Sequence, residues 1–126
     1  MVVLDTNIII DHLRSGTDKE SQLMKIAKDK PKEILAISLI TIQELYEGQS
    51  TSNNLKEQFL LATISPLKIL PYTYEAAQLA GEIARDIKHP IELADAAIAA
   101  SAILNGASLL TLNQKDFKGI PNLQLF

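Results

Sequence analysis

Apolar positions in this chain follow two rhythms. Short apolar runs bounded by polar turns alternate with longer stretches in which apolar residues recur every three or four positions. Val2-Val3-Leu4 is the first short run, β-branched and followed by Asp5-Thr6-Asn7, and it predicts a buried strand. Ile8, Ile9, Ile10 and Leu13 come next, and Gly16 stops what reads as a short helix. Thr17-Asp18-Lys19-Glu20 has the spacing of a capping box and predicts the start of a second helix, with Leu23, Met24, Ile26 and Ala27 on it and Pro31 ending it. Ile34 to Ser38 predict a second strand, and Thr41-Ile42-Gln43-Glu44 the first turn of another helix. Asn54-Leu55-Lys56-Glu57 opens a further helical run, closed by Ser65-Pro66. Leu67 to Leu70 form a third strand between two prolines. Thr73 is placed to cap a helix whose Ala76, Ala80, Ile83, Ala84 and Ile87 share one face. After His89-Pro90, an alanine-rich helix covers roughly Ile91 to Leu104, stopped by Asn105-Gly106. Ser108 to Thr111 predict a fourth strand and Leu123 to Leu125 a fifth at the edge.

Strands that are apolar throughout and alternate with helices predict an α/β fold. Its compact, mostly parallel central sheet carries helices on both faces. With 126 residues and no repeat, linker or low-complexity tract, the expectation is a single domain over residues 1–126. No apolar run approaches the ~20 residues a bilayer demands, so no membrane span is expected. Met1 leads into Val2-Val3-Leu4 without a basic n-region, against a secretory signal peptide. There is no cysteine, which excludes disulfides, thiolate nucleophiles and Cys-ligated metals and makes a cytoplasmic location the expectation.

In open α/β sheets ligands bind beyond the carboxyl ends of the strands, and acids fall at several of these points. Asp5 directly follows the first strand, Glu44 lies six residues after the second, and Asp116 five after the fourth. Asp95 is near the start of the alanine-rich helix, and helix starts pack close to strand ends in this architecture. Each acid also has a purely structural reading. Asp5 suits a helix N-cap, Glu44 completes a capping box with Thr41, Asp95 complements a helix dipole, and Asp116 suits an Asx-turn. Their conjunction says more. Oxygen donors without Cys or a well-placed His suit a hard cation, Mg²⁺ or Mn²⁺ rather than Zn²⁺. Such a cation lowers the pKa of a bound water and presents it to a phosphodiester.

The net charge of −3 argues against a polyanionic partner only until the acids are apportioned. With four of the 15 acids committed to one cation, the other 11 face 12 Lys and Arg residues, a balance of +1.

Four blocks occur in order: Val3-Leu4-Asp5-Thr6-Asn7-Ile8; Ser38-x-x-Thr41-x-x-Glu44-Leu45-x-x-Gly48; Asp95-Ala96-Ala97-Ile98-Ala99-Ala100; and Leu110-Thr111-x-Asn113-x-x-Asp116-Phe117. Together, over residues 2 to about 117, they resemble the signature of PIN-domain ribonucleases, and among these the VapC-type toxins of prokaryotic toxin–antitoxin pairs. The resemblance implies an endoribonuclease dependent on Mg²⁺ or Mn²⁺, cutting RNA through a metal-activated water to leave 5′-phosphate and 3′-hydroxyl ends. It implies that Asp5, Glu44 and Asp95 surround the metal. Asp116 and Asn113 both remain candidates for the fourth polar position: Asp116 is favoured for its charge, and Asn113 as a water or substrate contact. Thr6 and Thr111 are candidate supporting hydroxyls, with turn and cap roles as the alternative. It also implies a homodimer and a cognate antitoxin whose C-terminal segment crosses the acidic pocket, often placing an Arg there. The compact segment from Gly81 to Asp95 departs from the family's more variable approach to the third acid, which bears on the substrate groove.

Other chemistries fit less well. The five glycines are too scattered for a GxGxxG or phosphate loop, and no Ser sits in a GxSxG elbow. A haloacid-dehalogenase phosphatase needs an acid where Asn7 stands, and a response-regulator receiver needs an acidic pair around Asp5. His12 and His89 have no partner four residues on and read as surface residues. A PIN-like nuclease outside any toxin system and a catalytically silent RNA- or protein-binding module are the alternatives; retaining mutually repulsive acids argues against the second.

Overall fold

The structure is a computed structural model and describes residues 1–16 and 18–126. The chain runs β1 (Val2–Leu4), α1 (Thr6–Ser15), α2 (Gln22–Asp29), β2 (Leu35–Ser38), α3 (Leu39–Glu47), α4 (Asn54–Ile64), β3 (Lys68–Leu70), α5 (Tyr74–Asp86), α6 (Leu93–Leu104), β4 (Ser108–Leu110) and β5 (Gln124–Leu125). Short 3₁₀ turns cover Gln49–Thr51 and Gln114–Phe117. No helix is long and apolar enough to cross a membrane.

The five strands form one sheet in the order β3-β2-β1-β4-β5, and every pairing is parallel. The sheet is thus wholly rather than mostly parallel. From β1 the chain steps outward through β2 to β3, then returns to the other side of β1 for β4 and β5. Right-handed crossovers that run in opposite directions place their helices on opposite faces. The side chains bear this out. Val2 and Leu4 pack with Ile8, Ile9, Leu45 and Leu60 from α1, α3 and α4. Val3, between them, packs on the opposite face with Ile83, Ile98 and Ala99 from α5 and α6. The alternation repeats at Ala36 and Ile37 of β2, the period of two that a strand imposes. Each large apolar side chain buried this fully contributes about 1.5–3 kcal/mol. Helix α6 is buried from Ala96 to Ala102 and lies against β1, β2 and β4, which explains its small side chains.

Local signals were read correctly in most places. Thr73 caps α5, its Oγ1 accepting from the Ala76 N–H at 3.1 Å. Gly16 and Gly106 end α1 and α6 at φ +63° and +61°, where a side chain would be strained. Helix α4 opens at Asn54 as expected, capped by Asn53. Three starts differ. Helix α2 opens at Gln22, with Ser21 as its cap; Thr17 of the expected capping box lies outside the described residues. Helix α6 begins at Leu93 rather than Ile91. Helix α3 begins at Leu39, because Ser38, the last residue of β2, turns its Oγ onto the Ile40 N–H and caps the helix itself.

Candidate active site

Strand order reverses between β1 and β4, and the crevice beyond their carboxyl ends is where such sheets bind ligands. Asp5 stands at the end of β1, where its N–H extends the ladder to the Leu110 carbonyl at 2.9 Å. Its side chain is only 5% exposed. One carboxylate oxygen caps α1 by accepting from the Thr6 N–H at 2.8 Å, and the other accepts from the Thr111 hydroxyl at 2.7 Å. Capping and site membership therefore coexist, since each oxygen retains a free lone pair. Burial raises the Asp5 pKa above the usual carboxylate value, the two hydrogen bonds offset part of that, and the Asp116 charge adds to it.

Glu44 lies in the second turn of α3, so it cannot complete a capping box with Thr41. That structural reading of the pair is wrong, because Ser38 caps the helix three residues earlier. Thr41 is instead fully buried and stands 2.9 Å from the Thr6 hydroxyl, which in turn donates to Glu44 Oε1 at 2.5 Å. Thr6 has one hydroxyl proton, and Glu44 takes it. Thr41 must then donate to Thr6, giving a directed relay from α3 through α1 back to α3. Burial raises the Glu44 pKa, the Thr6 bond lowers it, and Asp5, Glu47 and Glu92 raise it further.

Asp95 occupies the first turn of α6 and is half-buried. Its pKa is pushed up to about 7, by burial first and then by the charges of Asp5, Glu92, Asp116 and Glu44. All four acids singled out in the sequence therefore share one electrostatic neighbourhood. Glu92 joins them unforeseen. It occupies the N-cap position of α6 but makes no capping bond, and it lines a cleft with Pro90, Ile91, Asp95 and Asp116. Only its place three residues before Asp95 could have signalled this. Asp116 reaches the cleft from the 3₁₀ turn after β4. Asn113 is exposed, and its backbone N–H donates to Thr111 Oγ1 at 3.0 Å. Asn7, which no sequence signal marks as a site residue, ties α1 to the segment after β4: its amide nitrogen donates to Thr111 Oγ1 at 3.4 Å and its amide oxygen accepts from the Leu112 N–H at 3.3 Å.

Neither histidine bonds an acid of the cluster, although the Asp116 charge reaches His89. His12 bonds Ser21 through Nδ1 at 2.8 Å. His89 points both ring nitrogens at carbonyls, those of Pro90 and Lys118, each at 3.0 Å. Only the imidazolium can donate to both, and these bonds raise its pKa.

Does a divalent cation fit? The donors are all hard oxygens, and their mutual repulsion is what a cation relieves. Among the described residues, no three acidic or imidazole groups already form a metal cage. Mg²⁺ does not require one, because it keeps several waters and takes one or two carboxylates. The donor set fits.

The PIN domain family matches residues 2–123. The chain belongs to that family. Within it, the chain is 33% identical to Ribonuclease VapC10 of Mycobacterium tuberculosis over 120 residues, covering 93% of this chain and 86% of that protein. It is 35% identical to Ribonuclease VapC2 of Rickettsia felis over 130 residues, covering 98% and 94%. Among solved structures it resembles VapBC2 from Rickettsia felis bound to a promoter DNA fragment, with a TM-score of 0.84, 30% identity and 100% and 98% coverage. These likenesses place the chain in the VapC branch of the PIN domains. The Thr41–Thr6–Glu44 relay of this PIN domain is directly testable. Thr41→Val keeps the shape but removes the donor; it should lower RNA cleavage several-fold at little cost in melting temperature, while Thr41→Ser restores activity. Equal activity in both variants would show that the relay has no part in holding Glu44.

Proposed function

We propose that the chain is an endoribonuclease dependent on Mg²⁺ or Mn²⁺ and the toxin half of a VapBC-type pair. The observation that carries this is the pocket at the β1–β4 switch point. There burial, and then the charges of Asp5, Glu92, Asp116 and Glu44, push the Asp95 pKa up to about 7, in a chain whose relatives are named ribonucleases. Asp5 and Asp95 hold the cation directly or through water, and Glu44 and Asp116 complete the cluster. When bound, the cation supplies a nucleophilic water at neutral pH and offsets the phosphodiester's charge. The chain's own residues fix the geometry. Thr6 N–H and Thr111 hold the Asp5 carboxylate in one orientation, and the Thr41–Thr6 relay holds Glu44. Cleavage leaves 5′-phosphate and 3′-hydroxyl ends.

An antitoxin partner is supported by the neighbours that were solved as toxin–antitoxin complexes, among them VapBC-1 from nontypeable Haemophilus influenzae. An antitoxin Arg entering the pocket would pair with the carboxylates bidentately and take the cation's place. Homodimerisation follows from the same reading. The test combines two arms. Incubation with total RNA and Mg²⁺, with mapping of cleavage ends, should yield discrete 5′-phosphorylated products that EDTA abolishes. Coexpression with the adjacent small reading frame should give a stable complex with suppressed cleavage. Intact RNA at saturating cation would overturn the nuclease, and two proteins that purify apart would overturn the toxin assignment alone.

A further inference from the structure

The acidic cluster has an electrostatic difficulty of its own. A scissile phosphate entering it brings flanking phosphates, which the same carboxylates repel unless positive charge stands beside them. The structure holds such charge beside Glu44. Next to Glu44, a cleft opens between α1, α3 and α4, lined by Ile10, Leu13 and Arg14 from α1 and by Lys56 and Phe59 from α4. Each set shares a helix face by its spacing of three or four residues. Arg14 and Lys56 are exposed and make no ion pair or side-chain hydrogen bond among the described residues, in a chain with more acids than bases. Phe59, 46% exposed, is an aromatic ring in the wall of this cleft. His12 braces it, with ring centroids 5.7 Å apart and planes at 45°. An exposed ring beside unpaired cations, over an apolar floor, is how proteins hold single-stranded nucleic acid.

We propose that this cleft seats a nucleotide flanking the cleaved bond, its unpaired base on Phe59 above Ile10 and Leu13 and its phosphates on Arg14 and Lys56. The inference rests on the nuclease reading and names the residues that hold the strand beside its site. A duplex keeps its bases stacked on one another and has none to offer the ring. Glu44 belongs both to the cleft and to the acidic cluster, so a strand lying in one is continuous with the other.

The test measures binding without cleavage. A fluorescein-labelled single-stranded oligoribonucleotide and the same sequence as a duplex are titrated, in EDTA, with the wild-type protein and with four variants. The single strand should bind more tightly than the duplex. Phe59→Ala should weaken single-strand binding about tenfold and leave duplex binding unchanged, and Phe59→Trp should restore it. Arg14→Ala and Lys56→Ala should each reduce the salt dependence by about 0.7 in the log–log slope, the loss of one phosphate contact. All these side chains are partly exposed, and the salt slopes of Arg14→Ala and Lys56→Ala keep the test decisive if Phe59→Ala unfolds. Single-strand affinity unchanged in a folded Phe59→Ala, salt slopes unchanged in both Arg14→Ala and Lys56→Ala, or a preference for duplex, would overturn the proposal. So would variants that lose a protein partner while still binding the single strand as wild type does. Wild-type protein that cuts RNA with variants of unaltered KM removes this inference alone, whereas wild-type protein that neither binds nor cuts RNA removes the nuclease reading as well.

Discussion

Asp95→Asn and Glu44→Gln are expected to lose RNA cleavage by more than about 100-fold, beyond the 10–100-fold typical of groups that merely support metal ligands. Both variants should remain folded. Gln at position 44 still accepts from the Thr6 hydroxyl, and Asn at position 95 keeps the size of the side chain in the first turn of α6. Asp5→Asn should be equally inactive but structurally less silent. Asn caps α1 nearly as well as Asp. Its amide, however, would face a Thr111 hydroxyl that already accepts from Asn113 and Asn7. Cleavage rates at saturating Mg²⁺ with melting curves of the same samples separate the two causes. Folded variants as active as wild type would remove these residues from the mechanism.

Mg²⁺ should stabilise the protein by about 2.7 kcal/mol at 100 times its Kd, roughly 10 °C in melting temperature for a domain of this size. The effect should depend on pH with a definite sign. The Asp95 pKa is about 7 in the folded chain against 3.8 for a free side chain. Between these values the folded state keeps a proton that the unfolded state has lost, so metal-free stability falls as pH rises through that window. Above it Asp95 carries its charge among the other acids, and that repulsion is what the cation relieves. The gain from Mg²⁺ should therefore be largest at pH 7.5 and small at pH 5.5. Asp95→Asn should raise the metal-free melting temperature at pH 7.5 and change it little at pH 5.5. Melting with Mg²⁺ against EDTA at both pH values checks this, and an unchanged melting temperature at saturating cation would sink the site.

Much of this was legible before any coordinates. The apolar run at Val2–Leu4 is a strand because β-branched and leucine side chains with no polar face can only be buried on both sides. Thr73 and Gly106 mark helix ends because hydroxyl caps and positive φ are properties of single residues, independent of what packs above them. Asp5 was visible because its position, immediately after a buried strand, fixes which end of the sheet it occupies. Where two local signals competed, the sequence alone could not rank them. Ser38 and Thr41 are both good N-caps, and the strand that ends at Ser38 decided for Ser38, carrying Glu44 out of the first turn and into the cluster.

The alternation of elements, the parallel sheet and the positions of four acids are thus local facts, written in periodicity and caps that act over a few residues. Tertiary structure alone decided what those acids became. The bonds that aim Glu44 and Asp5 join residues 38 and 106 positions apart in the chain. The pKa of Asp95 is set by burial and by charges arriving from β1, α3 and the turn after β4. Glu92 and the Arg14–Lys56–Phe59 cleft belong to the same class: ordinary surface residues in sequence, given meaning by the helices that stand across from them. Desolvation and Coulomb interaction depend on distance in space, and no pattern along a chain states that distance until the sheet order brings β1 and β4 side by side.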